Sequence, residues 1–196
     1  MQNIHQIYAD FQTPKNLQQH MLRVASLAKI ITKNWTGAEI NKKAIIQTCL
    51  IHDIAKPLHF DFTKQAQFGM TEVEVKALAD LQKRLITDYS PIEHEAVLKI
   101  CLVVGCLTEA IRLVDNLEWE NVSKFLESND LESLIPIYCD MRISPYGIMS
   151  LADRINDLKL RYYGESELEE LKRDGLKMEE VLQKNVGVDF NGIEVF

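Results

Sequence analysis

The chain has 196 residues, of which 46% are hydrophobic and 26% charged, a composition typical of one globular domain with a substantial core. The 22 basic and 29 acidic residues give a net charge of -7, which disfavours long nucleic acids, since phosphate neutralisation supplies most of their affinity. The longest apolar stretch, residues 100–107, is too short for a bilayer, and the N-terminus lacks a signal-peptide profile. We therefore expect a soluble, cytoplasmic protein with no membrane partner.

Helix signals begin near the N-terminus. A capping threonine followed by proline predicts a helix over about 13–33, whose apolar residues recur at helical spacing. A second helix is predicted over about 38–54, because a proline follows and prevents continuation. Residues 59–69 have no clean period and are predicted to form a loop.

The rest of the chain is also predicted to be helical. Six helices are expected over about 71–85, 90–104, 108–116, 120–127, 131–141 and 150–163. The clearest signals are the capping box Thr71-x-x-Glu74 and the stop at Gly105. Residues 164–185 are strongly charged and predict one or two solvated helices on the domain surface. Strand patterns are scarce, so the predicted fold class is all-α.

Two neighbouring ionisable residues, His52 and Asp53, interrupt the apolar end of the second predicted helix. Burying such groups is costly unless they are paired or bind a metal. Adjacent side chains on a helix diverge by about 100°, but imidazole is long and carboxylate is short. Both side chains can therefore reach one cation that lies over the end of the helix.

Two further polar residues lie on apolar helix faces. His20 is in phase with the apolar residues of the first predicted helix, and Asp140 stands within another apolar run. Taken alone, an inward histidine is more often a hydrogen-bonded core residue, and Asp140 has Arg142 or Arg154 as a simple ionic partner. Taken together, four imidazole and carboxylate groups on three inward helix faces favour a metal site.

The order of these residues resembles the H…HD…D signature of the HD-domain superfamily of metal-dependent phosphohydrolases: His20, then His52-Asp53, then Asp140. Residues 50–56 are similar to that superfamily's HDIGK variant, with Ala55 in place of glycine. Residues 138–144 resemble the last-aspartate region of its small members. The resemblance covers roughly residues 10–163.

The resemblance implies a single HD-domain helical bundle over residues 10–163. Residues 164–196 are then a short charged helical extension and not an independent domain. It also implies one divalent cation, held by His20, His52, Asp53 and Asp140. This mixed nitrogen and oxygen ligand set suits Mn, Fe, Co, Ni or Zn better than Ca.

The implied activity is hydrolysis of a phosphate ester. The cation would lower the pKa of a bound water and polarise a phosphoryl oxygen. Asp53 is expected to bind the metal and to orient the attacking water. The expected partner is a small phosphorylated substrate, with a nucleotide as the first candidate. The oligomeric state is left open, with a homodimer among the expectations.

Three further residues are candidates for the site. Lys56 corresponds to the lysine of the HDIGK variant, where it would act in catalysis or bind substrate phosphate; a merely exposed lysine is the equal alternative. His94 falls where many members carry another histidine and is expected to bind phosphate or a second metal, although one metal is favoured. Arg142 is expected to reach the substrate or, like Arg154, to pair with a buried carboxylate.

Three alternatives to a phosphohydrolase remain. A two-iron oxygenase would need more ligands than the four motif residues. A regulatory HD domain without turnover would bind a ligand but hydrolyse nothing. A purely structural role would make His52 and Asp53 matter for stability and not for metal binding.

Overall fold

The computed structural model describes residues 1–62, 70–145, 147–162 and 165–195. Within these ranges the chain forms ten α-helices: α1 Ile4–Asp10, α2 Lys15–Lys33, α3 Lys42–Ile51, α4 Glu72–Asp88, α5 Glu93–Val103, α6 Thr108–Asp115, α7 Val122–Ser128, α8 Leu131–Arg142, α9 Leu151–Tyr162 and α10 Glu165–Gln183. Short 3-10 turns cover Lys56–His59, Trp119–Asn121 and Phe190–Gly192. The prediction of an all-α fold is confirmed.

One small antiparallel hairpin joins α8 to α9. Its strands are β1, Ile143–Ser144, and β2, Gly147–Ile148. It lies between the helices predicted over about 131–141 and 150–163, and Tyr146, between the two strands, lies outside the described residues. The hairpin begins immediately after the last turn of α8, so it fixes how the chain leaves the helix that carries Asp140.

Several helix ends follow the local signals. At the start of α4 the hydroxyl of Thr71 accepts from the N–H of Glu74 (3.3 Å), and the Glu74 carboxylate accepts from the N–H of Thr71 (2.8 Å). After α5, Gly105 adopts a φ of 72°, and the N–H of Cys106 donates to the carbonyl of Cys101 at 2.9 Å. This is the left-handed helix ending for which glycine is favoured.

Other boundaries differ from the prediction. Helix α1 was not predicted, because seven residues form no stable helix alone; it is held by the burial of Ile7 and Tyr8. Helix α3 begins only at Lys42, where the Asn41 side chain accepts from the third helical N–H (3.0 Å). The predicted loop over 59–69 lies mostly outside the described residues, as does the expected domain boundary at 163/164.

The main core lies between α2, α3 and α8, the three helices that supply the motif residues. Helix α2 packs against both α3 and α8, and α3 also packs against α8. Their contacting side chains include the fully buried Leu27, Ile45 and Tyr138. The three inward faces therefore meet, as a shared metal site requires.

Helix α10 is packed more deeply than the sequence predicted. Most of the charged side chains described between residues 169 and 183 are exposed, but Leu171, Met178 and Leu182 are buried in the main core. Beyond it, an isolated β-bridge joins Val186 to Trp35, and the N–H of Gly187 donates to the carbonyl of Asn34 at 2.9 Å. The segment after α10 is thus hydrogen-bonded to the residues at the end of α2.

Among the described residues, no helix combines the length and the apolarity needed to cross a membrane.

Candidate metal centre

Three helices bring the motif residues together. His20 projects from the middle of α2, and Asp140 from the last turn of α8. His52 is the residue that ends α3, and Asp53 follows it in the turn toward Lys56. The helix ends at Ile51, before Pro57 could interrupt it, and the turn that follows lets the two adjacent side chains face one point.

The ligand atoms lie close enough to share a cation. His20 Nε2 is 2.8 Å from Asp140 Oδ1, and His52 Nε2 is 3.2 Å from the same oxygen. One ligand atom from each of these three residues lies within 4.8 Å of the others. For ligands about 2.0–2.2 Å from a metal, the separations of 2.8 and 3.2 Å correspond to neighbouring coordination positions.

The hydrogen bonds of His52 explain why a cation is favoured. Its Nδ1 is 3.0 Å from the carbonyl of Cys49. A carbonyl can only accept, so Nδ1 carries the hydrogen, and in the neutral ring Nε2 presents a lone pair. That lone pair faces the Asp140 carboxylate, an arrangement that is repulsive unless a proton or a metal ion lies between them. Metal-binding histidines usually donate their other ring N–H to a carbonyl, a carboxylate or a water in this way, which fixes the orientation of the ring.

Asp53 lies at the edge of this group. Its Oδ2 is 3.7 Å from His20 Nε2 and 3.8 Å from His52 Nε2. Its other oxygen is 3.6 Å from the Nζ of Lys56. The structure therefore brings all four predicted ligands together, with Asp53 further from the centre than Asp140.

The electrostatics favour positive charge between these residues. Burial alone lowers the pKa of His52, but the carboxylates of Asp53 and Asp140 outweigh it and raise that pKa to about 10. Burial alone raises the pKa of Asp140, but the charge of His52 and the hydrogen bonds from His20 and His52 hold it well below its usual range. The site thus holds a proton firmly when no other cation is there, and a divalent ion competes for the same place.

The candidate metal centre lies in the wall of a cavity of about 740 Å³, to which His52, Asp53 and Asp140 contribute; we call these three residues and His20 the metal end. Lys56, His94, Glu118, Trp119 and Arg154 also line this cavity. The volume is typical of small-molecule sites, which span about 300–1,000 Å³.

Comparison with known families settles the relationship that the motif order predicted. The model of the family described as HD domain matches residues 17–156, well over half of the chain. The chain belongs to the HD domain family. This is a family of metal-dependent phosphohydrolases, whose members bind divalent metals. Neither the curated proteins nor the solved structures gave a significant match.

Next to the metal end, the cavity of this HD domain is lined by paired charged groups, which we call the rim: Lys56, His59, Glu93, His94 and Glu118. The Nζ of Lys56 is 3.7 Å from Glu93 Oε1, and His59 Nε2 is 2.9 Å from Glu93 Oε2. Burial alone lowers the pKa of Lys56, but Asp53 and Glu93 outweigh it and raise that pKa. Lys56 is therefore a protonated donor beside the centre, as a phosphate-binding role requires.

His94 reaches the cavity but already has carboxylate partners. Its Nε2 is 2.8 Å from Asp115 Oδ1, and its Nδ1 is 3.7 Å from Glu118 Oε1. Burial, together with the nearby Glu120, raises the pKa of Glu118. Because its Nε2 is taken by Asp115, His94 would have to exchange a carboxylate for phosphate, and its substrate-binding role stays a prediction.

The backbone under the rim is held from α4. The side-chain amide of Gln82 donates to the carbonyls of Pro57 and Leu58, both at 3.0 Å, and to that of Phe60 at 3.4 Å. One side chain thus satisfies three carbonyls of the turn that carries Lys56 and His59. Gln82 is a positioning residue for the rim.

Arg142 is not brought into the cavity. Its side chain is only 3% exposed, and it donates to the hydroxyl of Tyr138 and to the carbonyls of Met149 and Phe190. Glu179 of α10 lies 3.5 Å from Nη1. The expectation that Arg142 binds substrate is therefore corrected. Its guanidinium donates to acceptors within the protein, because α10 and the following turn pack over it.

Sequence reasoning missed three residues that surround the site. Glu93 lies near the start of the helix predicted over about 90–104 and was not among the candidates, although it contacts both Lys56 and His59. Trp119, between two glutamates, is an aromatic residue in a polar segment, a signal that was available. Glu118 gave no signal of its own, since charged residues before a helix are ordinary.

Proposed function

We propose that this HD domain is a metal-dependent hydrolase of a small phosphate ester, with a nucleotide as the first candidate substrate. The observation that carries the proposal is the approach of His20 Nε2 and His52 Nε2 to one oxygen of Asp140, at 2.8 and 3.2 Å, in the wall of a cavity. The geometry fits a divalent cation of the nitrogen- and oxygen-binding class: Mn, Fe, Co, Ni or Zn.

His20, His52, Asp140 and, from its edge position, Asp53 would hold the ion. When bound, it supplies Lewis acidity toward water and a phosphoryl oxygen. Asp53 has a second task, because its Oδ1 faces away from the histidines toward Lys56. That oxygen is placed to accept a hydrogen bond from the attacking water and so to orient it.

Lys56 is the proposed partner of the substrate phosphate. Its side chain is 46% exposed, and its contacts to Asp53 and Glu93 are ion pairs at 3.6 and 3.7 Å rather than close hydrogen bonds. An incoming phosphoryl oxygen can therefore gain a charge-assisted hydrogen bond from Nζ without breaking a tight pair. The ion pairs keep Nζ protonated and pointed at the cavity.

The shape and charge of the cavity support a small substrate. Its walls include Val97, Leu117 and Ile137, together with the indole of Trp119, which offers a flat surface to a ring. Glu93 and Glu118 on the rim would repel the continuous phosphates of a long strand. A single phosphorylated ring compound suits these features best.

The test is to quantify metal in the purified protein and then to measure phosphate release with Mn, Co, Ni, Fe and Mg added in turn. The substrates are nucleoside mono-, di- and triphosphates and a generic aryl phosphate. We expect about one ion per chain and metal-dependent release from at least one nucleotide. The variant Asp53→Asn should lower kcat by about 10²- to 10⁴-fold, the range for loss of a general acid–base group.

Other outcomes would redirect the proposal. Bound metal without hydrolysis of any of these substrates would favour a ligand-binding HD domain. Two ions per chain, with iron required, would favour the oxygenase. An unchanged metal content in His52→Ala would remove the basis of the proposal.

A further inference from the structure

Arg154 is a charged residue of the cavity wall that the proposed reaction does not yet use. It lies in the first turn of α9 and lines the cavity together with Asp140, Met141 and Trp119. Only 17% of its side chain is exposed. A guanidinium held largely out of water needs partners for its five N–H donors.

Asp157 is a hydrogen-bond partner of Arg154, and it contacts one side of the guanidinium. Nη1 donates to Asp157 Oδ2 at 2.7 Å. Nε is buried, and no acceptor in the described parts of the chain lies within hydrogen-bond distance of it. In the planar guanidinium, Nε–H and one N–H of Nη2 point along a common edge, away from Nη1. Asp157 therefore leaves the Nε edge unused.

Arg142, the more deeply buried arginine, differs from Arg154 because its Nε has an acceptor. Arg142 donates from Nε, Nη1 and Nη2 to a hydroxyl and two carbonyls, and it does not line the cavity. Buried N–H groups in folded proteins nearly always have a partner. An unpaired one in a cavity wall, rather than in the core, indicates that its acceptor arrives with a ligand.

The chemistry of that ligand follows from the edge. Two parallel N–H groups match two oxygens of a phosphoryl group or a carboxylate. The cavity also contains the candidate metal centre and the protonated Lys56, both suited to anionic oxygen. A phosphoryl group is therefore the favoured occupant.

We propose that Arg154 anchors the substrate by donating from Nε and Nη2 to two oxygens of one phosphoryl group. The assignment rests on the proposed function in one respect only, namely that the anion belongs to a hydrolysed substrate. It gives Arg154 two tasks: Nη1 holds the side chain against Asp157, and the opposite edge binds the ligand.

The experiment compares Arg154→Lys with the wild-type protein, using inorganic phosphate as the probe and calorimetric titration of the protein with the metal that it retains. Lysine keeps the charge and can still pair with Asp157, but it has no edge of two parallel donors. We expect the Kd for phosphate to rise by about 10- to 100-fold, as loss of charge-assisted hydrogen bonds gives. Metal content and helical circular dichroism should not change.

Two control variants separate binding from structure. Asp157→Asn removes the negative charge of the internal partner, keeps an oxygen that can accept from Nη1 and leaves the Nε edge intact, so its phosphate Kd should stay within about twofold of the wild-type value. Arg112→Lys alters another half-buried arginine, paired with Glu109 and Asp130 outside the cavity, and should leave the Kd unchanged. If Asp157→Asn weakens phosphate binding as much as Arg154→Lys does, Arg154 is structural and the proposal is wrong.

The experiments can reject the phosphate anchor and the phosphohydrolase activity independently of each other. Phosphate affinity that depends on Arg154, in a protein that hydrolyses none of the tested esters, would support the anchor and reject the enzyme. Turnover with an unchanged KM in Arg154→Lys, together with an unchanged phosphate Kd, would support the enzyme and reject the anchor.

Discussion

The metal end and the rim satisfy their charges in opposite ways. At the metal end, two imidazole nitrogens, from His20 and His52, converge on one carboxylate oxygen of Asp140. At the rim, each cationic or imidazole group contacts at least one carboxylate oxygen that the others do not contact, as His59 does with Glu93 Oε2 at 2.9 Å. The His52 side chain is 3% exposed and that of His59 is 67% exposed.

The difference teaches where an ion is needed. At the metal end, lone pairs and negative charge face each other in a buried place, and only a proton or a metal ion balances them. At the rim, opposite charges already neutralise each other near water, where an ion pair contributes little and exchanges easily. We therefore expect substitutions at the metal end to abolish binding of the ion and those at the rim to change substrate affinity.

The largest expected effect is that of Asp140→Ala. It removes the oxygen shared by both histidines, so we expect loss of metal affinity beyond the roughly 10- to 100-fold that second-shell changes cause, together with loss of turnover. Metal analysis after dialysis and phosphate release measure the two effects. Asp80→Ala, an exposed acid on α4, serves as control. Retained metal in Asp140→Ala would break the contrast between the metal end and the rim.

A middle-sized effect is expected for Lys56→Met, which keeps the length of the side chain and removes its charge. KM should rise about 10- to 100-fold, the range for loss of a charge-assisted hydrogen bond, while metal content stays as in the wild type. Steady-state kinetics with metal analysis tests this. The matched control is Lys99→Met on α5, whose ammonium donates to the carbonyl of Tyr89. A metal content that falls with the charge would place Lys56 at the metal end instead.

The smallest effect is expected for Gln82→Leu. Three carbonyls lose their donor, so the free energy of unfolding should fall by about 1–3 kcal/mol, and KM should rise by a few-fold as the turn carrying Lys56 loosens. Urea unfolding and kinetics measure the two changes. Gln18→Leu removes a comparable bond, to the carbonyl of Thr13, and should lower stability alone. Equal KM values in the two variants would show that Gln82 does not position the rim.

The metal end was predictable from the sequence because its residues break rules that hold elsewhere. Acids and histidines on apolar helix faces stand out against their neighbours, and the motif order added the family. The structure brings His20, His52, Asp53 and Asp140 together and confirms both the all-α class and the HD domain. Helix signals such as the capping box at Thr71 are local and were equally readable.

The rim and the fate of Arg142 were not predictable, because they depend on packing between distant segments. Glu93 faces Lys56 only because α5 meets the turn after α3, and no spacing in the chain encodes that meeting. The guanidinium of Arg142 donates to Phe190 and Glu179. Both residues belong to the charged C-terminal extension, which was predicted to be surface helix over residues 164–185. Charge describes the outer face of α10, whereas its buried leucines and methionine decide where it packs.

The β-bridge between the segments that follow α2 and α10 has a consequence for biosynthesis. The bridge from Trp35 to Val186 joins residues that a ribosome makes roughly 8–30 s apart, at about 5–20 residues per second. Until the later segment emerges, α7 and α8 lack the apolar face of α10 that packs against them. We therefore expect the nascent chain to remain a client of chaperones until synthesis has passed Val186. We expect it to load its metal only after that point.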